Sequence, residues 1–186
     1  ANCAENFDQT EMFAGRYLNE RMFQIIRRAT RSFLQKHREL FDERIAGGKI
    51  RDGHGDLRVG HVYFEEDGIK IIDCVEFNDR FRYADCACDL AFLAMDLDFE
   101  GFAEIEQQLL QTFARQAEDK DIFVLIDFYK CYRAFVRVKV NCLQLQAGGL
   151  GDDVRKRLLE ETHTYLELAY RLSLIHISEP TRLRRI

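Results

Sequence analysis

The sequence predicts a mainly helical fold that carries one small β-hairpin. Two observations support this prediction. Apolar residues recur every three or four positions over most of the chain, and this spacing gives way to short strand-like stretches only between Val59 and Cys74. The chain has 186 residues, of which 47% are apolar, which is enough for one domain, or part of one, with a substantial core.

The elements before the hairpin follow from spacing and punctuation. Asp8 and Glu11 are placed as a capping pair that would open a short helix. From residue 18 to residue 45 the apolar spacing predicts one long helix, and the pair Gly47-Gly48 is expected to end it.

The hairpin is predicted from two strand-like stretches, Val59–Phe64 and Ile69–Cys74, which the turn-forming run Glu65–Gly68 joins. After the hairpin, glycines and a charged run separate four further helical patterns. We expect these helices at about Tyr83–Asp98, Gly101–Ala117, Asp121–Leu145 and Asp152–Tyr170.

Composition excludes several classes of protein. The formal net charge of −5 gives no reason to expect nucleic acid as a partner, and no run of about 18 apolar residues predicts a membrane span. The six cysteines form no C-x-x-C pair and are scattered among apolar residues. This pattern is typical of buried thiols in a reducing compartment, so we expect a cytoplasmic protein.

The last segment, 172–186, looks foreign to the rest of the chain. Residues 172–182 read LSLIHISEPTR, which resembles the translation of a transposon-end adapter used to prepare DNA sequencing libraries. The chain also begins at Ala1 rather than at methionine. We therefore predict that both natural ends are absent and that residues 1–171 carry the fold.

Acidic residues flank the predicted hairpin on both sides. Asp56, in the run His54-Gly55-Asp56, precedes it, and Asp73 closes it. Folding of the hairpin brings its ends together, so we expect both carboxylates to face one cleft. Phosphoryl transfer needs such a pair, because one acid deprotonates the attacking hydroxyl and the other holds Mg²⁺ on the phosphates of the nucleotide.

These residues also carry a family resemblance. His54-Gly55-Asp56-Leu57, with Ile72-Asp73 seventeen positions past Asp56 and Asp89-Leu90-Ala91 further on, resembles the aminoglycoside phosphotransferases and their kinase-like relatives. The resemblance covers most of residues 1–171. The continuation, Glu76 to Tyr83 and then Asp89 to Asp96, looks like a bacterial branch often fused to a P-loop kinase-like domain. It implies the carboxy-terminal lobe of a protein-kinase-like α+β fold, with the amino-terminal lobe missing.

The resemblance implies a role for each matched position. Asp56 is expected to be the catalytic base and Asp73 the principal ligand of Mg²⁺. His54 is expected to brace the catalytic loop through its ring hydrogen bonds. Asp89 is expected to accept backbone N–H bonds from this loop, and Gly55 to let the backbone bend where a side chain would clash.

One position departs from the family pattern. Where the wider family has asparagine, this chain has His61, whose imidazole nitrogen suits Mn²⁺ or Zn²⁺ better than Mg²⁺. Three interpretations stay open: a second metal ion is bound only weakly at His61, another carboxylate such as Glu76 supplies the missing oxygen, or His61 only packs and catalysis is damaged. For Glu76, hydrogen bonds that stabilise the loop compete equally with such a role.

A basic stripe gives a hypothesis about the acceptor. Lys130, Arg133 and Arg137 are spaced three and four residues apart, which places them on one face of the predicted helix. In the resembled fold such a face borders the acceptor cleft, so it would favour an anionic acceptor over a polycationic aminoglycoside. A solvated helix face is the competing interpretation, and the pattern alone favours it.

The function that follows is ATP-dependent, Mg²⁺-assisted phosphoryl transfer to a hydroxyl of a small molecule. The sequence contains no G-x-G-x-x-G and no strand-borne lysine before the long helix, so we expect residues 1–171 to be inactive alone. The alternative is a pseudokinase-type module that binds a ligand or regulates a fused partner. A helical binding module without nucleotide chemistry leaves the hairpin acids unexplained.

Overall fold

The computed structural model describes residues 2–178, with side chains as far as residue 175. The chain divides into two compact units, the first formed by Ala1–Lys36 with Lys130–Ile186 and the second by His37–Tyr129. Helices account for most of the described residues, and two small antiparallel sheets lie in the second unit. The prediction of a mainly helical fold with a small hairpin is confirmed.

The first unit is helical. It contains α1 (Asn2–Thr10), α2 (Glu20–Lys36), the later part of α7 (Ile122–Ala147) and α8 (Asp152–Ser178). Helix α2 packs along α8. Phe7 joins the core of this unit, because its ring centroid lies 4.5 Å from that of Phe135 and 5.8 Å from that of Phe23.

Three predictions of element boundaries need correction. Asp8 lies inside α1, so the capping pair predicted at Asp8 and Glu11 is wrong. The predicted long helix is broken at His37, which has φ −106° and ψ 24°, and α3 (Arg38–Ala46) follows the break. Helix α8 runs on to Ser178, into the segment predicted to be foreign; residues 179–186 of that segment lie outside the described residues.

The second unit contains the hairpin, whose two strands are mostly exposed. Its elements are α3, β1 (Ile50–Asp52), β2 (Val62–Glu65), β3 (Gly68–Ile71), α4 (Asp79–Arg82), β4 (Tyr83–Asp85), α5 (Cys86–Phe99), α6 (Ala103–Gln116) and the first part of α7. In the hairpin Val62 pairs with Ile71 and Glu65 with Gly68. Residues 59–61 form a 3-10 turn instead of the predicted start of a strand.

A second pairing was not predicted. Strand β1 lies antiparallel to β4, with Ile50 opposite Asp85 and Asp52 opposite Tyr83. The helix that was predicted to start at Tyr83 therefore starts three residues later, at Cys86. Asp85 caps this helix, α5, by accepting the backbone N–H of Ala87 at 2.9 Å.

Helix α5 is the centre of the second unit. Most of its residues are buried, which is the pattern of a helix covered on every side. Small side chains at Ala87, Ala91 and Ala94 let α6 and α7 pack closely, through Leu110 and Ile126 among others. The position of α5 is thus fixed by the core, and any polar group that it presents is held in place.

A buried ionic cluster joins α3 to the start of α5 and to the loop that follows α6. The guanidinium of Arg44 donates to the carboxylate of Asp85 at 2.6 and 2.7 Å and to that of Asp119 at 2.8 and 2.9 Å. The hydroxyl of Tyr129 also donates to Asp85, at 3.2 Å. Burial, together with the charge of Asp85, raises the pKa of Tyr129 well above its ordinary value, so the hydroxyl stays a donor.

The cysteines only partly follow the prediction of buried thiols. Cys88, Cys131 and Cys142 are buried, and burial raises the pKa of the Cys142 thiol to about 12, whereas Cys74 is exposed. None of the helices within residues 2–178 combines the length and the apolar character that a membrane crossing requires.

Candidate active site

Asp89 of α5 shapes the loop that precedes the hairpin. Its carboxylate accepts the backbone N–H of His54 at 2.5 Å and that of Gly55 at 2.9 Å. These are the hydrogen bonds that the resemblance implies for this position. Gly55 has φ +80°, and a Cβ there would lie 3.0 Å from the side chain of Val75, so the bend requires glycine.

A second acid of α5 holds the other end of the same loop. Asp96, which is buried, accepts the backbone N–H of Val59 at 3.0 Å and lies 3.7 Å from Nε of Arg58. Asp96 was not predicted to be a site residue, because the sequence favoured a surface or capping acid at this position. The signal was its spacing, because seven residues are about two helical turns and place Asp96 on the same face of α5 as Asp89.

The ring of His54 ties the loop to the far end of the hairpin. Its Nε2 lies 2.8 Å from the carbonyl oxygen of Ile72, and its Nδ1 lies 3.3 Å from the backbone nitrogen of Asp56. A carbonyl only accepts and an amide only donates, so Nε2 carries the proton and Nδ1 accepts. Both ring nitrogens of His54 are therefore engaged, as a bracing residue requires.

His61 lies between the two hairpin acids. Its Nδ1 is 2.9 Å from the carbonyl oxygen of Asp56 and 3.9 Å from Oδ2 of that residue, and its Nε2 is 3.4 Å from Oδ2 of Asp73. The exposed fraction of the side chain rises from 17% in His61 to 35% in Asp56 and 76% in Asp73. The two carboxylates thus flank one imidazole ring at a surface that a ligand can reach.

The backbone of Asp73 adopts an uncommon conformation. Its φ of 64° lies in the left-handed region, which few residues other than glycine enter and which aspartate tolerates better than most. Such conformations concentrate at functional sites, where the surroundings hold them in place. Here the turn directs the Asp73 carboxylate towards His61.

The donors present fit a metal ion that arrives with a nucleotide. Among the described residues, no group of three or more histidine, cysteine, aspartate or glutamate side chains is arranged to hold a metal ion. Asp73 and His61 alone offer an oxygen and a nitrogen 3.4 Å apart. Mg²⁺ commonly binds through one or two carboxylates and completes its shell with phosphate oxygens and water, so this small donor set is compatible with such an ion.

The remaining predicted site residues make none of these contacts with His54, His61, Asp56 or Asp73. Lys130 and Arg133 are buried, which makes the solvated-face interpretation wrong for them, and Arg137 lies 5.7 Å over the ring of Tyr165. All three belong to the first unit, whereas the hairpin acids belong to the second. Within the described part of the chain the exposed Glu76 carboxylate makes no hydrogen bond or ion pair, so its loop-structuring role stays a prediction without support from the fold.

Comparison with known proteins finds relatives in mycobacteria, but their names state no activity. No protein-family model and no solved structure matches the chain. It is 33% identical over 162 residues to "Uncharacterized protein Mb2027c" of Mycobacterium bovis and to "Uncharacterized protein Rv2004c" of Mycobacterium tuberculosis. The match covers 86% of this chain and 32% of each relative, so the chain spans about a third of the length of the curated relatives it matches.

Proposed function

We propose that this chain carries the catalytic loop and the metal acids of a kinase-like phosphotransferase, as its carboxy-terminal lobe. The observation that supports the proposal is the arrangement around His61, whose one ring contacts Asp56 on one side and Asp73 on the other. These acids are seventeen positions apart in sequence, and both lie beside the ring of His61 because the hairpin closes between them. The reaction is transfer of the γ-phosphoryl group of ATP to a hydroxyl of a small molecule.

In this proposal Asp56 accepts the proton of the attacking hydroxyl. Its backbone N–H donates to His54, and its carbonyl accepts from His61, so the loop that carries the carboxylate is fixed on both sides. Asp89 and Asp96 anchor this loop to the buried helix α5. Catalysis would then rest on positioning, with Mg²⁺ or Mn²⁺ on Asp73 neutralising charge on the phosphates when bound.

The activity is proposed for a longer protein, of the kind that the mycobacterial relatives represent. The sequence has no glycine-rich phosphate loop, so the clamp on the nucleotide would come from residues outside this chain, from an amino-terminal lobe or a fused P-loop kinase-like domain. Residues 1–171 alone are therefore expected to be inactive. A cytoplasmic location is part of the same proposal, since ATP is the phosphoryl donor.

The acceptor is proposed to be anionic and not an aminoglycoside. The basis is the charge of Lys130, Arg133 and Arg137 in the sequence alone, which would oppose a polycation; because Lys130 and Arg133 are buried, the fold adds no support to it. Efficient phosphorylation of kanamycin-type acceptors by the protein from the complete reading frame would refute this part of the proposal alone, and leave the assignment of Asp56 and Asp73 intact.

Replacement of Asp56 by asparagine tests the proposed function. The protein from the complete reading frame would be incubated with γ-labelled ATP and a panel of phosphosugars, nucleosides and aminoglycosides. Loss of a positioned general base lowers transfer by about 10²–10⁴-fold. We expect a loss in this range for Asp56→Asn with nucleotide binding retained, and no loss for Glu66→Gln, an exposed acid in the turn of the same hairpin.

The same experiment separates the second candidate, a pseudokinase-type binding module. His61, in place of the asparagine of the wider family, favours this candidate. If the unmodified protein binds ATP but transfers no phosphoryl group to water or to any acceptor, the binding module replaces the enzyme. Wild-type transfer rates in Asp56→Asn would also overturn the role of Asp56 as the base.

A further inference from the structure

The guanidinium of Arg58 is partly buried, yet its N–H groups have no acceptor. The side chain is 25% exposed, its Nε atom is buried, and Arg58 donates no hydrogen bond to any of the described residues. A guanidinium carries five N–H donors, and a buried donor without an acceptor is unfavourable. Arg44, by contrast, donates four hydrogen bonds to two carboxylates. Arg58 therefore has donors that an oxyanion can use.

Asp96 holds this guanidinium by charge and does not use its donors. The Oδ2 atom of Asp96 lies 3.7 Å from Nε of Arg58, which is too far for a hydrogen bond, and it accepts the backbone N–H of Val59 at 3.0 Å. Asp96 is buried on α5, so salt screens the attraction between the two charges only weakly. The cation is thus kept at the loop and stays free to donate.

Arg58 belongs to the chain segment that carries the proposed catalytic base. It follows Asp56 by two positions, so the Cα atoms of the two residues are at most about 7 Å apart. Asp73, the proposed metal acid, belongs to the far end of the hairpin. The carboxylate of Asp56 repels any acceptor that carries a negative group, and a cation in the same loop offsets this repulsion. The position of Arg58 therefore suits the acceptor.

We propose that Arg58 binds an oxyanion group, a phosphate or a carboxylate, of the acceptor whose hydroxyl is deprotonated by Asp56. The inference rests on the proposed function, because it names a binding residue and a substrate class for the same reaction. A guanidinium binds such groups through two parallel N–H···O bonds, which fix the orientation of the ligand as well as its charge. Sugar phosphates and sugar acids are acceptors of this class, whereas a polycationic aminoglycoside is repelled.

Steady-state kinetics of the protein from the complete reading frame test the inference on matched acceptors. Each sugar phosphate and each sugar acid is compared with the uncharged sugar from which it derives. We expect Arg58→Met to raise the KM of the anionic acceptor by about 10–100-fold, as the loss of hydrogen bonds to a charged group implies, and to leave the KM of ATP and of the uncharged sugar unchanged. Arg58→Lys keeps the charge without the paired donors, so its KM should be intermediate. The larger loss identifies phosphate or carboxylate as the group bound.

A binding measurement on the unmodified chain does not depend on the stability of a variant. The Nε–H signals of the arginines are followed in ¹H–¹⁵N spectra of the 186-residue chain during titration with inorganic phosphate and, separately, with acetate. We expect the Arg58 signal, assigned through Arg58→Lys, to move, and that of Arg44, whose donors are used, to stay. Arg38, which is 85% exposed, reports adventitious binding, and Arg38→Met is the control variant for the kinetics.

Three results would overturn the inference: Arg58→Met raises the KM of ATP instead of that of the acceptor, it affects charged and uncharged acceptors equally, or phosphate moves Arg38 as much as Arg58. Failure of the proposed function is a different result. Transfer that depends on Asp56 but not on Arg58 keeps the phosphotransferase and loses the acceptor site. An Arg58 signal that responds to phosphate, in a protein whose transfer does not depend on Asp56, keeps the anion site and loses the proposed base.

Discussion

Two pairs of aspartates in the second unit each flank one basic side chain, and they differ in how completely that side chain is used. Arg44 is 3% exposed and donates four hydrogen bonds of 2.6–2.9 Å to Asp85 and Asp119. His61 is 17% exposed and approaches the carboxylates of Asp56 and Asp73 only at 3.9 and 3.4 Å.

The difference separates a group that stabilises the fold from a group that is proposed to act on a ligand. In the Arg44 cluster each charge is paired and buried, so the carboxylates have little capacity left for a ligand and removal of one member leaves a charge uncompensated. In the His61 group the carboxylates are accessible and only loosely engaged, so they contribute little to folding and remain available for a ligand. The order of the predicted stability effects follows from this contrast.

Replacement of Arg44 by methionine should have the largest effect. It leaves two buried carboxylates without their partner, and breaking a buried ion pair in this way costs about 3–5 kcal/mol. Urea denaturation of the chain measures the change in the free energy of unfolding. Arg27→Met is the control, because Arg27 pairs with exposed Glu11 at 2.9 Å and such a pair contributes about 0–1 kcal/mol. Equal losses in the two variants would contradict the comparison.

Replacement of Asp89 by alanine should cause the second largest loss in the free energy of unfolding. It removes the acceptor of the backbone N–H groups of His54 and Gly55, at about 1–3 kcal/mol for each amide that is left buried without a partner. Hydrogen exchange of these two amides should accelerate more than exchange in α6. Asp89→Asn keeps one acceptor oxygen and should fall between wild type and alanine. Unchanged exchange at His54 would mean that Asp89 does not shape the loop.

The contrast also shows what the sequence could and could not predict. The hairpin and most of the helices follow from local periodicity, Asp56 and Asp73 follow from their place beside the hairpin, and His54 and Asp89 follow from the family resemblance. The partners of Arg44 lie 41 and 75 positions further along the chain, so no local pattern joins them. Strands β1 and β4 have three residues each, too few to show alternation. The break at His37 was missed because the apolar spacing continues across it.

Acid should weaken the Arg44 cluster in a defined window. Burial alone would raise the pKa of Asp119, but the hydrogen bonds and charge of Arg44, with a smaller effect of Lys49, outweigh it and hold this pKa below its ordinary value of 3.8. The stabilising contribution is therefore complete above pH 3.8 and is lost as the pH falls through the lower pKa of the folded state.

Measurements of the free energy of unfolding between about pH 2 and pH 6, the range in which carboxyl groups titrate, test whether stability falls with pH in this way. Asp119→Asn cannot gain the proton, so the stability gap between wild type and this variant should be widest near pH 6 and should narrow in acid. A gap that widens as the pH falls would reverse the assigned direction.

Replacement of Asp73 by asparagine should have the smallest effect on stability. The side chain is 76% exposed, and asparagine adopts positive φ at least as readily as aspartate, so the backbone at φ 64° is not disturbed. We expect the free energy of unfolding in urea to change by less than about 0.5 kcal/mol, as for other exposed positions. A loss of more than about 1 kcal/mol would show that Asp73 stabilises the fold, because only a residue with a structural role loses that much on so small a change. The acids around Arg44 and those around His61 would then differ in burial, but both groups would stabilise the fold.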